Sequence, residues 1–235
     1  MRDVILKMSM SLDGFVSGPA GEIDWLFTND EEAVHWSVQS IARAGVHVMG
    51  SRTFRDMAAY WPTSSGPFAG PMNEIPKVYF SRGGASETER AHIDASARTA
   101  SSSLGTDAAT ESWDTARAAT GDLREEIARL VNEPGGEIVA HGGAAFASSL
   151  VAEGLIDEYR LLTLLVALGQ GLPLFAGVSS RIAFELVDVT RFPVERWPTS
   201  TGRSSARAGD PKQAVASEVI VSPTSEPEGQ AAAIT

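Results

Sequence analysis

The sequence predicts a single-domain α/β fold. The stretch from Glu137 to Leu165 reads as a strand, a glycine turn, a helix and a second strand, the pattern of a crossover unit. The same strand-to-helix change recurs earlier, where Val46 to Met49 is followed by Gly50-Ser51-Arg52-Thr53 and a helical run. Finally, 235 residues that are 43% hydrophobic suffice for one sizeable core.

In chain order, Val4 to Met10 alternates apolar with polar residues as a strand does, and Ser11-Leu12-Asp13-Gly14 ends it in a turn. Phe15 and Val16 resume an extended pattern, and Gly18, Pro19 and Gly21 make an exposed loop. Asn29 or Asp30 is available as the N-cap of a first helix with an imperfect apolar face of Ala33, Trp36, Val38, Ile41 and Ala42. Gly45 is expected to end it ahead of the strand Val46 to Met49. A helix over Phe54 to Tyr60 closes at Trp61-Pro62, and Thr63 to Pro76 reads as a loop rich in Gly and Pro. Lys77 to Phe80 is a strand, with Ser81 and Arg82 directly after it.

Residues 83 to 112 are rich in Ala, Ser and Thr without a sustained period and read as an expanded surface loop, a loop insertion in the domain. Further on, Ile138 to Ala140 is a buried strand, and Gly142-Gly143 is a turn tolerant of positive φ and close approach. Phe146, Leu150 and Val151 give the next helix its apolar spacing, Gly154 ends it, and Tyr159 to Val166 is an inner strand. Asp157 and Glu158 are adjacent carboxylates on opposite faces of that strand, a structural rather than a paired catalytic arrangement. From 193 to 221 the chain reads as irregular except for a last strand over 214 to 221 pairing with Phe184 to Val189, and 222 to 235 as a disordered tail.

Composition narrows the function classes. No run of apolar residues is long enough to cross a membrane, and Met1 to Leu12 carries Asp3 and Lys7 where a signal peptide would be unbroken, so a cytoplasmic location is expected. The absence of cysteine excludes disulfides, thiolate nucleophiles and thiolate metal sites. A formal net charge of −11 opposes binding to nucleic-acid backbones and anionic membranes, which leaves small molecules as the expected partners. His35, His47, His92 and His141 have no metal-ligand spacing, so no metal is expected.

Three strand ends carry related chemistry. Gly142-Gly143 leaves backbone N–H groups uncovered at a helix start, Arg52 stands where an anion would dock, and Ser81-Arg82 puts a hydroxyl and a guanidinium after a third strand. In open α/β sheets ligands sit at such carboxyl ends.

The blocks MSLDGFVSGPAGEIDW, MGSRTFRDMAAYWP, KVYFSR, WDTARAATGDLREEIARLV, IVAHGGAAFASSLVAEGLIDEYRLL and ALGQGLPLF together resemble successive segments of the dihydrofolate reductase-like superfamily. Within it they are most similar to stand-alone relatives of the C-terminal reductase domain of bifunctional riboflavin-biosynthesis enzymes, over about residues 2 to 192. The resemblance implies a mostly parallel twisted sheet with helices on both faces and an antiparallel C-terminal strand. It also implies NADPH as cofactor, hydride transfer to a pteridine- or pyrimidine-like ring, and a homodimer.

Carried over by residue, Gly50, Ser51, Arg52 and Thr53 match the turn that holds the cofactor phosphates, and Ser81 and Arg82 the adenosine side. Gly142, Gly143 and Ala144 match the turn against the pyrophosphate. Ser11, Asp13 and Gly14 match the loop that closes over the nicotinamide, with Asp13 a candidate acid. Asp30 falls where folate-reducing relatives hold their pterin-binding acid, and it also reads as an N-cap. Asp24, Trp25 and Ser11 are expected near the substrate. His141 replaces the glutamate usual before the glycine pair, and either contacts the substrate or packs at the strand end. The closing hairpin after Phe192 is not recognisable in PVERWPTSTGRSSARAG.

Overall fold

A computed structural model describes residues 1–26, 30–81, 111–194 and 214–224. Its main sheet has eight strands: β1 (Val4–Ser11), β3 (Ala44–Gly50), β4 (Lys77–Phe80), β5 (Arg117–Ala119), β6 (Glu137–Ala140), β7 (Glu158–Leu164), β9 (Phe184–Val194) and β10 (Ala214–Pro223). Their spatial order is β5-β4-β3-β6-β1-β7-β10-β9. The first six run parallel, and β10 pairs antiparallel with both of its neighbours. A small second sheet pairs β2 (Phe15–Ser17) with β8 (Leu172–Pro173).

Six helices complete the described fold: α1 (Glu31–Ala42), α2 (Ser51–Tyr60), α3 (Ala69–Glu74), α4 (Glu111–Asp114), α5 (Leu123–Asn132) and α6 (Ala144–Ala152). Alternation along the strands sends side chains to two cores. On one face Val4, Leu6, Val48, Ile138 and Ala140 pack with Ile127 and Leu130 of α5 and Ala147 and Leu150 of α6. On the other, Ile5, Met49, Tyr79 and Val139 pack with Ile41 of α1, Phe54 and Ala58 of α2, Met72 of α3 and Trp113 of α4.

Several expectations are corrected by this packing. Thr63 to Pro76 is not a plain loop: a 3-10 turn spans Trp61–Thr63 and α3 follows, because Met72 is buried and Asn73 donates to the Trp61 carbonyl at 3.0 Å. Gly45 does not end α1. It lies inside β3, where a Cβ would fall 2.5 Å from the Gly136 nitrogen, so close approach of two backbones explains the glycine. Glu111 and Ser112 belong to α4, not to the preceding loop, because Trp113 is 1% exposed and its indole donates to Asn73 Oδ1 at 2.8 Å. The expected last strand is present and longer than expected. β9 runs on through Val194, and β10 continues to Pro223, with ten residues paired across the two strands from Ala214↔Val194 to Pro223↔Phe184. Asp157 and Glu158 are structural: the first accepts from Val4 N at 2.8 Å and the second from Arg160 Nε at 2.6 Å.

Candidate functional site

Because β4, β3, β6 and β1 are parallel and adjacent, their carboxyl ends form one continuous rim. Ser81, Gly50 to Thr53, His141 to Ala144 and Ser11 to Gly14 come from four separate parts of the chain and meet along it. Arg82 lies outside the described residues.

Two of the helices that start on this rim differ from those with acidic caps. α1 and α5 are capped by Asp30 and Asp122, whose carboxylates accept backbone N–H groups. α2 and α6 begin at Gly50 and Gly143 with no side-chain cap. Their first-turn amides therefore have no local side-chain acceptor, which is the condition for anion binding at a helix start. Gly143 has φ +99°, and a Cβ there would lie 2.5 Å from Thr53 Oγ1. The start of α6 is thus seated against the first turn of α2. A Cβ on Gly50 would lie 3.2 Å from that of Phe146, whose ring is 5.0 Å from Phe80 at the end of β4. Arg52 is exposed beside these amides, and Ser51 and Thr53 are half-buried.

Next along the rim, Ser11 is fully buried, donates to Asp13 Oδ1 at 2.7 Å and accepts from Phe15 N at 2.9 Å. Asp13 also accepts from Leu168 N at 3.1 Å and Gly169 N at 2.7 Å, binding the turn after β1 to the loop after β7. These bonds, led by that from Ser11, hold its carboxyl below the usual carboxylate range. A carboxylate engaged in this way ties two loops together and holds its charge more firmly than a free carboxyl.

Asp30 heads α1 and accepts from Ala33 N at 2.8 Å. Since α1 leads directly into β3, it runs against the strands and presents this end to the rim. Trp25, expected at the substrate, is 6% exposed and packs with Ala33, Leu162, Leu164 and Phe192, so it supports the site from the core. Asp24 is exposed at the head of a 3-10 turn.

His141 is buried at the end of β6, edge to face with His47 at 4.4 Å between centroids. Its Nε2 has no hydrogen-bond partner among the described residues, nor has His47 Nδ1. Burial, then His47, Lys7 and Lys77, holds His141 well below the ordinary histidine value. Burial and Lys77 bring His47 to about 3. The pair is therefore neutral at physiological pH.

Sequence reading missed the polar row to which these histidines belong. Lys77, His47, Lys7, Arg160 and Glu218 stand on the α1 face of β4, β3, β1, β7 and β10. Lys77 is 2% exposed, donates to the Ile75 carbonyl at 2.6 Å and Ser112 Oγ at 2.5 Å, and lies 4.3 Å from the Trp113 ring centre. Each interrupts an otherwise apolar strand, a signal that reads equally well as a solvent face until helices cover it. Among the described residues no group of three or more His, Cys, Asp or Glu could hold a metal. No described helix is long and apolar enough to cross a membrane.

Comparison with known proteins places this geometry. The model of the RibD C-terminal domain family matches residues 2–195. The uncharacterized protein YyaP of Bacillus subtilis is 26% identical over 196 residues, covering 81% of this chain and 89% of that protein. Among solved structures, Acinetobacter baumannii RibD superposes with a TM-score of 0.57 at 18% identity, covering 95% of this chain and 58% of that longer one. The dihydrofolate reductase of Enterococcus faecalis, complexed with NADP(H), superposes with a TM-score of 0.52 at 11% identity, covering 94% and 96%. At these identities the likeness is one of fold: a mostly parallel sheet with helices and an antiparallel C-terminal strand.

Proposed function

Starting from a chain that belongs to the RibD C-terminal domain family, we propose that it is an NADPH-dependent reductase that transfers a hydride to a small pteridine- or pyrimidine-like heterocycle. One observation carries the reading: two glycine-started, side-chain-uncapped helices, α2 and α6, sit against each other at the carboxyl ends of adjacent parallel strands. Helix starts without side-chain caps in that arrangement suit a pyrophosphate, and a Cβ at Gly143 would meet Thr53 and push the two starts apart.

Gly50 to Thr53 and Gly142 to Ala144 would hold the cofactor phosphates. Arg52 and Arg82 would add charge-assisted bonds to a 2′-phosphate, and Ser81 would serve the adenosine side. NADPH, when bound, supplies the hydride. Reduction of a C=N or C=O bond also needs a proton on the heteroatom, and Asp30, at the rim end of α1, is the residue assigned to hold it. Ser11 and Asp13 order the loop beside the site, and His141 would present a neutral imidazole towards the acceptor.

Titration with NADPH should raise the thermal midpoint and alter protein fluorescence; no change in either removes the proposal. Replacing Arg52 and Arg82 together by Ala should raise KM for NADPH far more than for NADH, and equal effects would remove the 2′-phosphate assignment. A second reading, an NADPH-binding module without turnover, is favoured by the departure at His141. Following NADPH oxidation against pteridines, dihydrofolate, a ribosylaminopyrimidine and flavins separates the two, since the binder is stimulated by none.

A further inference from the structure

One buried carboxylate on the α1 face has no partner. Glu218 of β10 is 1% exposed, and neither side-chain oxygen has a hydrogen bond among the described residues. Register sets it between Leu162 of β7 and Thr190 of β9. Arg160, a strand position away, is already committed: it donates to both oxygens of Glu137 at 2.9 and 3.0 Å, to Glu158 at 2.6 Å and to the Ser40 carbonyl at 3.0 Å. The remaining cation is Lys7, which pairs with Arg160 across β1 and β7. Its Nζ stands 4.7 Å from the Trp36 ring centre, and it makes no hydrogen bond or ion pair among the described residues.

We propose that Glu218 and Lys7, on one covered face with β7 between their strands, are electrostatically coupled with no bond between them, and that Glu218, acting through Lys7, is a positioning residue that sets the charge beside His141. The register supplies the link: Leu6 is level with Ala140, so Lys7 is level with His141 on the same face. An ionised Glu218 favours the Lys7 ammonium and a neutral Glu218 lets it release its proton more readily, so the charge of each depends on that of the other.

The other charges facing the pair are Arg160 and Glu158 on β7 and Asp188 on β9. Capping the end of α1, Arg43 stands at a cleft of about 230 Å³ lined also by Trp36, Gln39, Ser40, Arg160 and Ile220, while Glu31, Glu32 and His35 of α1 are exposed. Burial raises Glu218 to about 7 against the pull of Lys7. Burial lowers Lys7 to about 8 against the pull of Glu218. Two groups whose ordinary values lie far apart thus titrate close together near neutrality.

The chain has three lysines, Lys7, Lys77 and Lys212, so protein labelled with 13C at lysine Cε gives three assignable signals. Lys7 should titrate near 8 in the wild type, and E218Q should lower that midpoint by about one pH unit, while D188N leaves it in place. An unchanged Lys7 midpoint in E218Q overturns the pair. If E218Q does not fold, the Glu218 Cδ signal is followed in K7M instead; its midpoint should rise, and constancy overturns the proposal. The effect on turnover rests on the reductase reading: the alkaline limb of kcat/KM should move down in E218Q with the Lys7 midpoint. A shifted midpoint in a protein that reduces no acceptor would sink the reductase reading and keep the pair. A shifted midpoint with an unmoved limb would overturn the link to the site.

Discussion

A methyl group at residue 143 would meet Thr53 Oγ1 at 2.5 Å in a backbone held at φ +99°. G143A should therefore cost about 2 kcal/mol in chemical denaturation, and it should weaken NADPH binding further than a neutral surface change of equal stability cost would. The paired imidazoles make a pH prediction. His47 binds its proton near 6.5 when unfolded and near 3 when folded, so the unfolded state holds more protons between those values. That contribution is full above 6.5, and stability falls as pH drops from 6.5 towards 3. H47F should flatten this part of the curve of thermal midpoint against pH; an identical slope would contradict the burial of a neutral histidine. The sequence displayed both histidines but not their meeting. They are 94 positions apart in the chain, and only the pairing of β3 with β6 puts them edge to face.

Among the elements, the helix starts divide by role. Asp122 accepts from Arg124 N and Glu125 N, and D122A should cost about 1 kcal/mol of stability while leaving NADPH affinity unchanged. Asp30 has the same capping bond but stands at the rim. Asn caps a helix as well as Asp does, so D30N should keep the thermal midpoint within about 1 °C while turnover falls. Full turnover across pH in D30N would eliminate the acid role. The Asp30 cap, the glycine starts and most strands were legible locally because each is a short-range pattern of turn chemistry and alternation. α3, α4 and β8 were not, because they are short and are held by burial of Met72 and Trp113 or by a distant strand rather than by their own periodicity.

Across the whole molecule, Arg160 ties β7 to Glu137 of β6 and to the α1 carbonyl of Ser40, over the top of β1. Its side chain is 5% exposed, and R160M would strand carboxylates at a covered face, so a loss of about 3 kcal/mol is expected in urea unfolding. A loss within error would mean that the network is solvated. By itself the sequence determined the α/β class, the crossover unit around the glycine pair and the strand ends that carry the candidate phosphate turns, because those depend on residues close together along the chain. Only the tertiary structure decided that four such ends share one rim, that Asp13 is spent on a loop 155 residues away, and that charges inside apolar strands form a covered row ending at Glu218. Strand order and helix cover set those relations, and they arise from contacts between distant segments that no local pattern encodes.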